Sequence, residues 1–485
     1  MNLKESPDRD MKSILSILVL PVLTVCSAIE RSGAKEPPNF VLIFVDNLGN
    51  GDLHCFNPAT PHRTPNIDRM AAEGTKFTSF YVASGVCTPS RAALMTGCYP
   101  RRVDLHVSDR DGAVLQPVAR KGLNPDETTI AEVLQSAGYA TGIFGKWHLG
   151  DQPEFLPTRQ GFQEYFGIPY SDDMTKNKLF GQWPDLPLMR GEKVIEAPVD
   201  RDFLVKRTTE EVIGFIERNK ARPFFAYVPH TMPGSTVHPF SSPGFRGKSK
   251  NGEYGDSVEE LDWSAGEILA ALRRLGLDQK TLVIFTSDNG AVRRNPPQGA
   301  CEPYRGFGYD TSEGSMRMPC VMRWPGRVPE GKVQDELCST MDLLPTFAKL
   351  AGATLPAKAI DGRDIRPILF SEAGAKSHWD EEGFGYYRRG QLQAVRSGPW
   401  KLYLPVENKL ITNGTKTSAK PAPLELYDVR SDVHEDHEVS GQHPEVVQRL
   451  LFLAERIRAE IGDGNKPGTG QRGAGWVETA RPLAP

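Results

Sequence analysis

Four short patterns in this chain group residue types that do chemistry. The first is Gly85-Val86-Cys87-Thr88-Pro89-Ser90-Arg91-Ala92-Ala93-Leu94-Met95-Thr96-Gly97. Pro89 presets φ near its helical value, and the Ser-Arg-Ala-Ala-Leu-Met run can carry a helix onward. Cys87 is thus predicted at a helix N-terminus, where free N–H groups and the dipole favour an anion. Arg91, one turn along the same face, can reach back toward it. The second pattern is Gly145-Lys146-Trp147-His148-Leu149-Gly150. Lys146 and His148, two apart on extended backbone, point to one side. A cation beside an imidazole suits an anionic ester and a proton transfer. The third and fourth are Asp46-Asn47 and Asp288-Asn289, each following a predicted strand. Four side-chain oxygens at two strand ends make a ligand set for a hard cation such as Ca²⁺.

Taken singly, each pattern has a commoner structural reading. A lone cysteine at a helix start is usually a small buried hydrophobe. An Asp-Asn after a strand is usually a turn cap, and a lysine-histidine pair usually splits into one solvated and one packed residue.

The elements that must position these groups are legible from periodicity. Asn39 to Val45, Tyr139 to Phe144, Phe224 to Val228 and Thr281 to Thr286 are near-continuous apolar runs, predicting strands buried on both faces of a largely parallel sheet. Thr129-Ile130-Ala131-Glu132 is a capping box opening a helix that stops at Gly138. Thr208 to Asn219 and Val258 to Leu275 carry apolar residues at helical spacing. Beyond about Ser371 short strands (393–396, 400–404, 424–428) precede a helix from Pro444 to about Ile461, the pattern of a small α+β unit. The Gly/Pro-rich residues 463–485 read as a flexible tail.

The Cys87-x-Pro89-x-Arg91 core and its Leu94-x-Thr96-Gly97 tail resemble the maturation signature of the type I, formylglycine-dependent sulfatases. Tyr99-Pro100-Arg101-Arg102 and the Gly145–Gly150 run are similar to further signatures of that family, and Gly167-Ile168-Pro169-Tyr170-Ser171 is similar to its arylsulfatase A and N-acetylgalactosamine-6-sulfatase branch. The resemblance extends from about residue 39 to 460. It implies an alkaline-phosphatase-like α/β fold: a large mixed sheet sandwiched by helices in residues 39–370, with a smaller subdomain of antiparallel sheet plus helix in 371–462.

The same resemblance implies sulfate-ester hydrolysis on a sulfated carbohydrate or aryl sulfate. Cys87 would be oxidised by a formylglycine-generating enzyme to an aldehyde, whose hydrate attacks sulfur with one oxygen and expels sulfate with the other. Lys146 would bridge the hydrate and a sulfate oxygen, and His148 would assist its deprotonation. Ser171 would touch the sulfate, and Asp46, Asn47, Asp288 and Asn289 would hold Ca²⁺. The chain departs from the family at three positions: Asn47 replaces the usual second aspartate, Gly308 the usual sulfate-binding lysine, and Gly234 the expected leaving-group histidine. Arg305 is the expected substitute for the lysine, and His238, ahead of His230, for the histidine. Two other readings stay open: a phosphate or phosphonate ester hydrolase using the same machinery, and a sulfated-glycan-binding protein with impaired catalysis.

Bulk properties fit an exported globular protein. Lys4, Arg9 and Lys12 precede an apolar run from Ile14 to Val25 that ends near Ala28, predicting a cleaved signal peptide over 1–28 and a secreted or periplasmic product. The run is too short to span a bilayer. At 485 residues with net charge −3, the chain has room for one large and one small domain and no electrostatic case for nucleic acid. The cysteines follow no zinc spacing and no dense disulfide framework.

Overall fold

A computed structural model describes residues 36–176, 183–407 and 422–484; the predicted signal peptide lies outside them. Its central strand, β1 (Asn39–Val45), is buried along its whole length. Phe40, Leu42 and Phe44 face one apolar cluster, and Val41, Ile43 and Val45 face another. This alternation explains the uninterrupted apolar run: both faces are covered. Each fully buried side chain of this size contributes about 1.5–3 kcal/mol.

The other main strands of the sheet are β2 (Thr75–Tyr81), β3 (Ala140–Lys146), β4 (Glu164–Ile168), β5 (Phe224–Val228), β6 (Thr281–Ser287) and β7 (Arg317–Arg323). The order β2-β7-β6-β1-β5-β3-β4 forms the body of an eleven-stranded sheet, extended by shorter strands at both ends. Pairing is parallel from β6 through β4, and β7 runs antiparallel to both β6 and β2. Helices α1 (Cys87–Thr96), α2 (Leu204–Asn219), α3 (Gly252–Arg274) and α4 (Leu343–Ala351) cover it. α1 begins at Cys87 and ends at Gly97, whose left-handed φ of 67° suits glycine. All ten α1 residues are buried.

Strands β8 (Phe384–Arg388), β9 (Gln391–Ser397), β10 (Trp400–Tyr403) and β11 (Glu425–Asp428) make a four-stranded antiparallel sheet, backed by α5 (Pro444–Ile461). It docks on the large sheet within one compact unit, Pro37–Pro485. The junction is polar as well as apolar. Buried Glu313 pairs with Lys401 at 2.9 Å, Arg317 at 3.4 Å and Arg396 at 4.0 Å, and Lys401 also pairs with buried Glu435 at 3.2 Å. Burial alone would raise the Glu313 carboxyl's pKa, but Lys401, Arg317 and Arg396 outweigh that and hold it well below the usual range.

The tail is not loose, contrary to its Gly/Pro composition. Gly475–Trp476 pairs antiparallel with Lys121–Gly122. Arg472 grips Glu127 through Nε at 2.7 Å and Nη2 at 2.8 Å. Backbone pairing and a two-pronged arginine offset what the composition lacks in apolar burial.

Lys401 is the cation shared by two buried carboxylates. Lys401→Met should therefore lower unfolding stability by about 3–5 kcal/mol, the usual result of stranding a buried charge, measured as a shift in the urea midpoint with unchanged slope.

Candidate active site

The parallel strands all empty at one edge of the sheet, and the chemistry-bearing residues collect there, as expected at the carboxyl ends of an open α/β sheet. Asp46 follows β1, Lys146 ends β3, Ser171 lies just past β4, and Asp288 and Asn289 follow β6. β1 and β6 are adjacent and in register at Val45 and Ser287, so their Asp-Asn pairs arrive side by side. α1 lays Cys87 and Arg91 across them.

Asp46 Oδ1 is the hub. It accepts from Lys146 Nζ at 2.8 Å, Arg91 Nη2 at 2.9 Å and the Cys87 thiol at 3.5 Å. Arg91 Nη2 also donates to Asp288 Oδ2 at 2.7 Å, bridging the two carboxylates. Lys146 Nζ donates onward to Ser171 Oγ at 3.1 Å. Both cations and both carboxylates are fully buried. Burial would push Asp46 up, yet Lys146 and Arg91 overcome it and hold its pKa well down. Asp288 is pushed up by burial and by Asp46 beside it. The Cys87 thiol is driven well above its ordinary range by burial and by Asp288 and Asp46, so as a plain thiol it carries no thiolate.

Oxygen and thiol atoms of Asp46, Cys87 and Asp288 lie within 4.8 Å of one another. Asn47, held at a left-handed φ of 61°, and Asn289 complete the group, the Asn289 amide donating to Asn47 Oδ1. This oxygen-rich set fits a hard cation.

His148 is held in one tautomer. Its Nε2 lies 2.9 Å from the Leu115 carbonyl, which only accepts, so Nε2 carries the proton and Nδ1 keeps a lone pair. Nδ1 has no partner. Burial and the neighbouring Lys146 and Arg91 cations push this histidine's pKa well down, so the ring is neutral. It also sits at a left-handed φ of 62°, strain of a kind that collects at functional sites.

A cavity of about 430 Å³ opens over Cys87, His148 and Ser171, within the size range of small-molecule sites. Gln116, Asp173, Ser235, Tyr309 and Arg389 form its walls. None of these five stood out in the sequence, because each is a common residue in a loop with no local pattern.

Three expected site residues lie elsewhere. His238 is exposed, its Nδ1 2.7 Å from Glu253, and is not on the cavity wall. His230 is buried against Ser264 of α3, with Nε2 3.0 Å from Oγ, and does not line the cavity either. Arg305 turns toward the C-terminal sheet: Nε lies 3.3 Å from Glu435, and the guanidinium stacks on Tyr427. It is spent on the junction and does not replace a lysine at 308. Position 308 itself is closed, since a Cβ there would meet the Gly290 carbonyl oxygen at 2.4 Å.

The large mixed sheet with reactive groups at its strands' carboxyl ends, and the small antiparallel sheet with its helix, make an alkaline-phosphatase-like α/β scaffold. The Sulfatase family model matches residues 38–353, and the model for the N-sulphoglucosamine sulphohydrolase C-terminal region matches residues 307–460. The chain is 35% identical to steryl-sulfatase of Mus musculus over 93% of its own length and 86% of that protein. It is 38% identical to arylsulfatase A of Homo sapiens over 88% of each. A solved Bacteroides thetaiotaomicron sulfatase, from a locus for the metabolism of multiple glycosaminoglycans, superposes with a TM-score of 0.75 at 28% identity, covering 87% of this chain and all of that one. The chain belongs to the sulfatase family.

Because backbone fills the space beside Gly308, Gly308→Ala should cost about 1–3 kcal/mol of stability, read from thermal or urea unfolding. An unchanged midpoint would mean the Gly290 segment yields freely.

Proposed function

We propose that this sulfatase is exported and acts on a sulfated carbohydrate, with residue 87 matured to formylglycine and calcium bound by Asp46, Asn47, Asp288 and Asn289. The observation that carries the reading is the convergence on Asp46 Oδ1 of Lys146, Arg91 and the Cys87 side chain, beneath a cavity large enough for a sugar. Lys4, Arg9 and Lys12 ahead of the apolar run from Ile14 to Val25 support export. When in place, the hydrated aldehyde supplies an oxygen nucleophile able to release its own product, and calcium supplies positive charge.

The chain's own groups supply the rest. Arg91 and Lys146 balance Asp46 and Asp288 charge for charge, so a bound divalent cation leaves a positive surplus to receive an anionic ester. Lys146, between Asp46 and Ser171, is placed to hold a sulfate oxygen, with the Ser171 hydroxyl beside it. His148 is neutral with a free Nδ1, the form that accepts a proton from an attacking hydroxyl. Among the described residues the leaving alcohol meets no second histidine on the cavity wall; Gln116, Asp173, Ser235, Tyr309 and Arg389 are the polar side chains there.

Sulfate release from sulfated sugars and an aryl sulfate tests the reading, using protein co-expressed with a formylglycine-generating enzyme. Lys146→Ala should lower kcat/KM by about a thousandfold or more, and His148→Gln by about a hundredfold. Sulfate release by Cys87→Ala at the wild-type rate would sink the proposal. Calcium affinity is a separate test. Asn47→Asp restores a negative ligand and should tighten binding by roughly tenfold, while Asp288→Asn should weaken it. Calorimetry showing the same affinity in Asn47→Asp would take residue 47 out of the ligand set.

A further inference from the structure

The tip of the β8–β9 hairpin carries two arginines in succession, Arg388 and Arg389, followed by Gly390. The hairpin belongs to the C-terminal sheet, yet its tip reaches the nucleophile cavity, where Arg389 forms part of the wall. Gly390 lets the tip lie close to Arg101, whose Nη1 would be 2.3 Å from a Cβ there. Arg389 holds a left-handed φ of 52°, a conformation glycine adopts at least cost, and is an arginine all the same.

Each guanidinium has buried nitrogen without a hydrogen-bond partner. Arg388 is 2% exposed, and its Nε and Nη2 are buried without a hydrogen-bond partner. Arg389 Nε is likewise buried and unpartnered. Among the described residues neither arginine forms an ion pair, although buried arginines elsewhere in the chain do, as Arg91, Arg102 and Arg317 illustrate. The acid that acts on Arg388 is Asp310, whose Oδ1 already accepts from Ser312. Burial and the adjacent Arg389 bring the Arg388 pKa down to about 10. A buried cation without a partner is costly, and an anion would relieve it.

On the proposed sulfatase reading the scissile sulfate has its cation in Lys146, which ends β3 and donates to Ser171 of the cavity wall. Arg389 enters from a different element, on the wall with Tyr309. We infer that the Arg388–Arg389 tip is a subsite for a second anionic group of the substrate, a carboxylate or another sulfate, carried on the sulfated sugar or the sugar joined to it. Arginine's planar fork suits both anions. Asp173, on the same cavity, accepts hydroxyls and keeps the second anion to the arginine side by repulsion. This inference rests on the sulfated-carbohydrate reading above.

The test is ligand binding to the Cys87→Ala chain, by calorimetry, so that it does not depend on turnover. Three probes are compared: a methyl hexoside with one sulfate, the same hexoside with two sulfates, and a disaccharide joining the monosulfated hexose to a uronic acid. At least one two-anion probe should bind tenfold or more tighter than the monosulfated hexoside. Which one does so separates sulfate from carboxylate. Adding Arg389→Gln should abolish that preference and Arg389→Lys should restore part of it, with thermal unfolding confirming that both variants fold. Equal affinity for all three probes, or no binding of any, overturns the subsite. Equal loss for one-anion and two-anion probes in Arg389→Gln also overturns it, and puts Arg389 on the scissile sulfate instead. Sulfate release by the matured wild type judges the parent reading independently: release without a two-anion preference leaves the sulfatase proposal standing and removes this one.

Discussion

The site depends on one guanidinium. Two neighbouring parallel strands deliver Asp46 and Asp288 to the same buried corner, and two carboxylates that close cannot both stay ionised without a cation between them. Arg91 Nη2 lies between them, at 2.9 and 2.7 Å. Because Arg91 sits one helical turn after Cys87, the pairing that steadies the carboxylates also sets the position of residue 87 over the sheet. Removing it would leave an uncompensated pair of charges and an unanchored helix start together.

A second buried network holds the small sheet to the large one. Glu313, Lys401, Arg317, Arg396 and Glu435 are all almost fully enclosed, and Arg305 joins them from the loop after β6. The network is a directional joint, since each charge has to meet its partner for burial to be tolerable. Such a joint keeps the β8–β9 tip registered against the cavity, so the cavity is lined from both sheets, by Cys87, His148 and Ser171 on one side of the joint and Arg389 on the other.

Much of this was legible from the chain alone, for identifiable reasons. β1 and β6 are continuous apolar runs because both faces are buried, and the Asp-Asn pairs stand out because they follow immediately. The Thr129 capping box forms as its spacing requires, with Glu132 Oε2 accepting from the Thr129 N–H at 2.7 Å. What failed were inferences that needed long-range partners. Arg305 looked like a spare cation until Glu435, 130 residues on, claimed it. His238 stood near the expected place along the chain, but the turn after β5 carries it out to Glu253. At Gly308, where the charge is indeed absent, nothing in the sequence signalled the close backbone contact with Gly290. Arg389 had no signal, since one arginine beside another in a hairpin is unremarkable until the cavity is seen. The tail was misjudged because composition reports apolar content and not the Glu127 carboxylate waiting for Arg472.

The tail's attachment bears on when this protein can be finished. Arg472 and Glu127 are 345 positions apart, and Arg102 reaches the Gly470 carbonyl across 368. A chain emerging from the ribosome N-terminus first has made β1, α1 and β3 long before these closing partners exist. Contacts of such high order are slow to form. The molecule therefore passes through a long interval in which α1 is synthesised but not yet sealed beneath the completed fold.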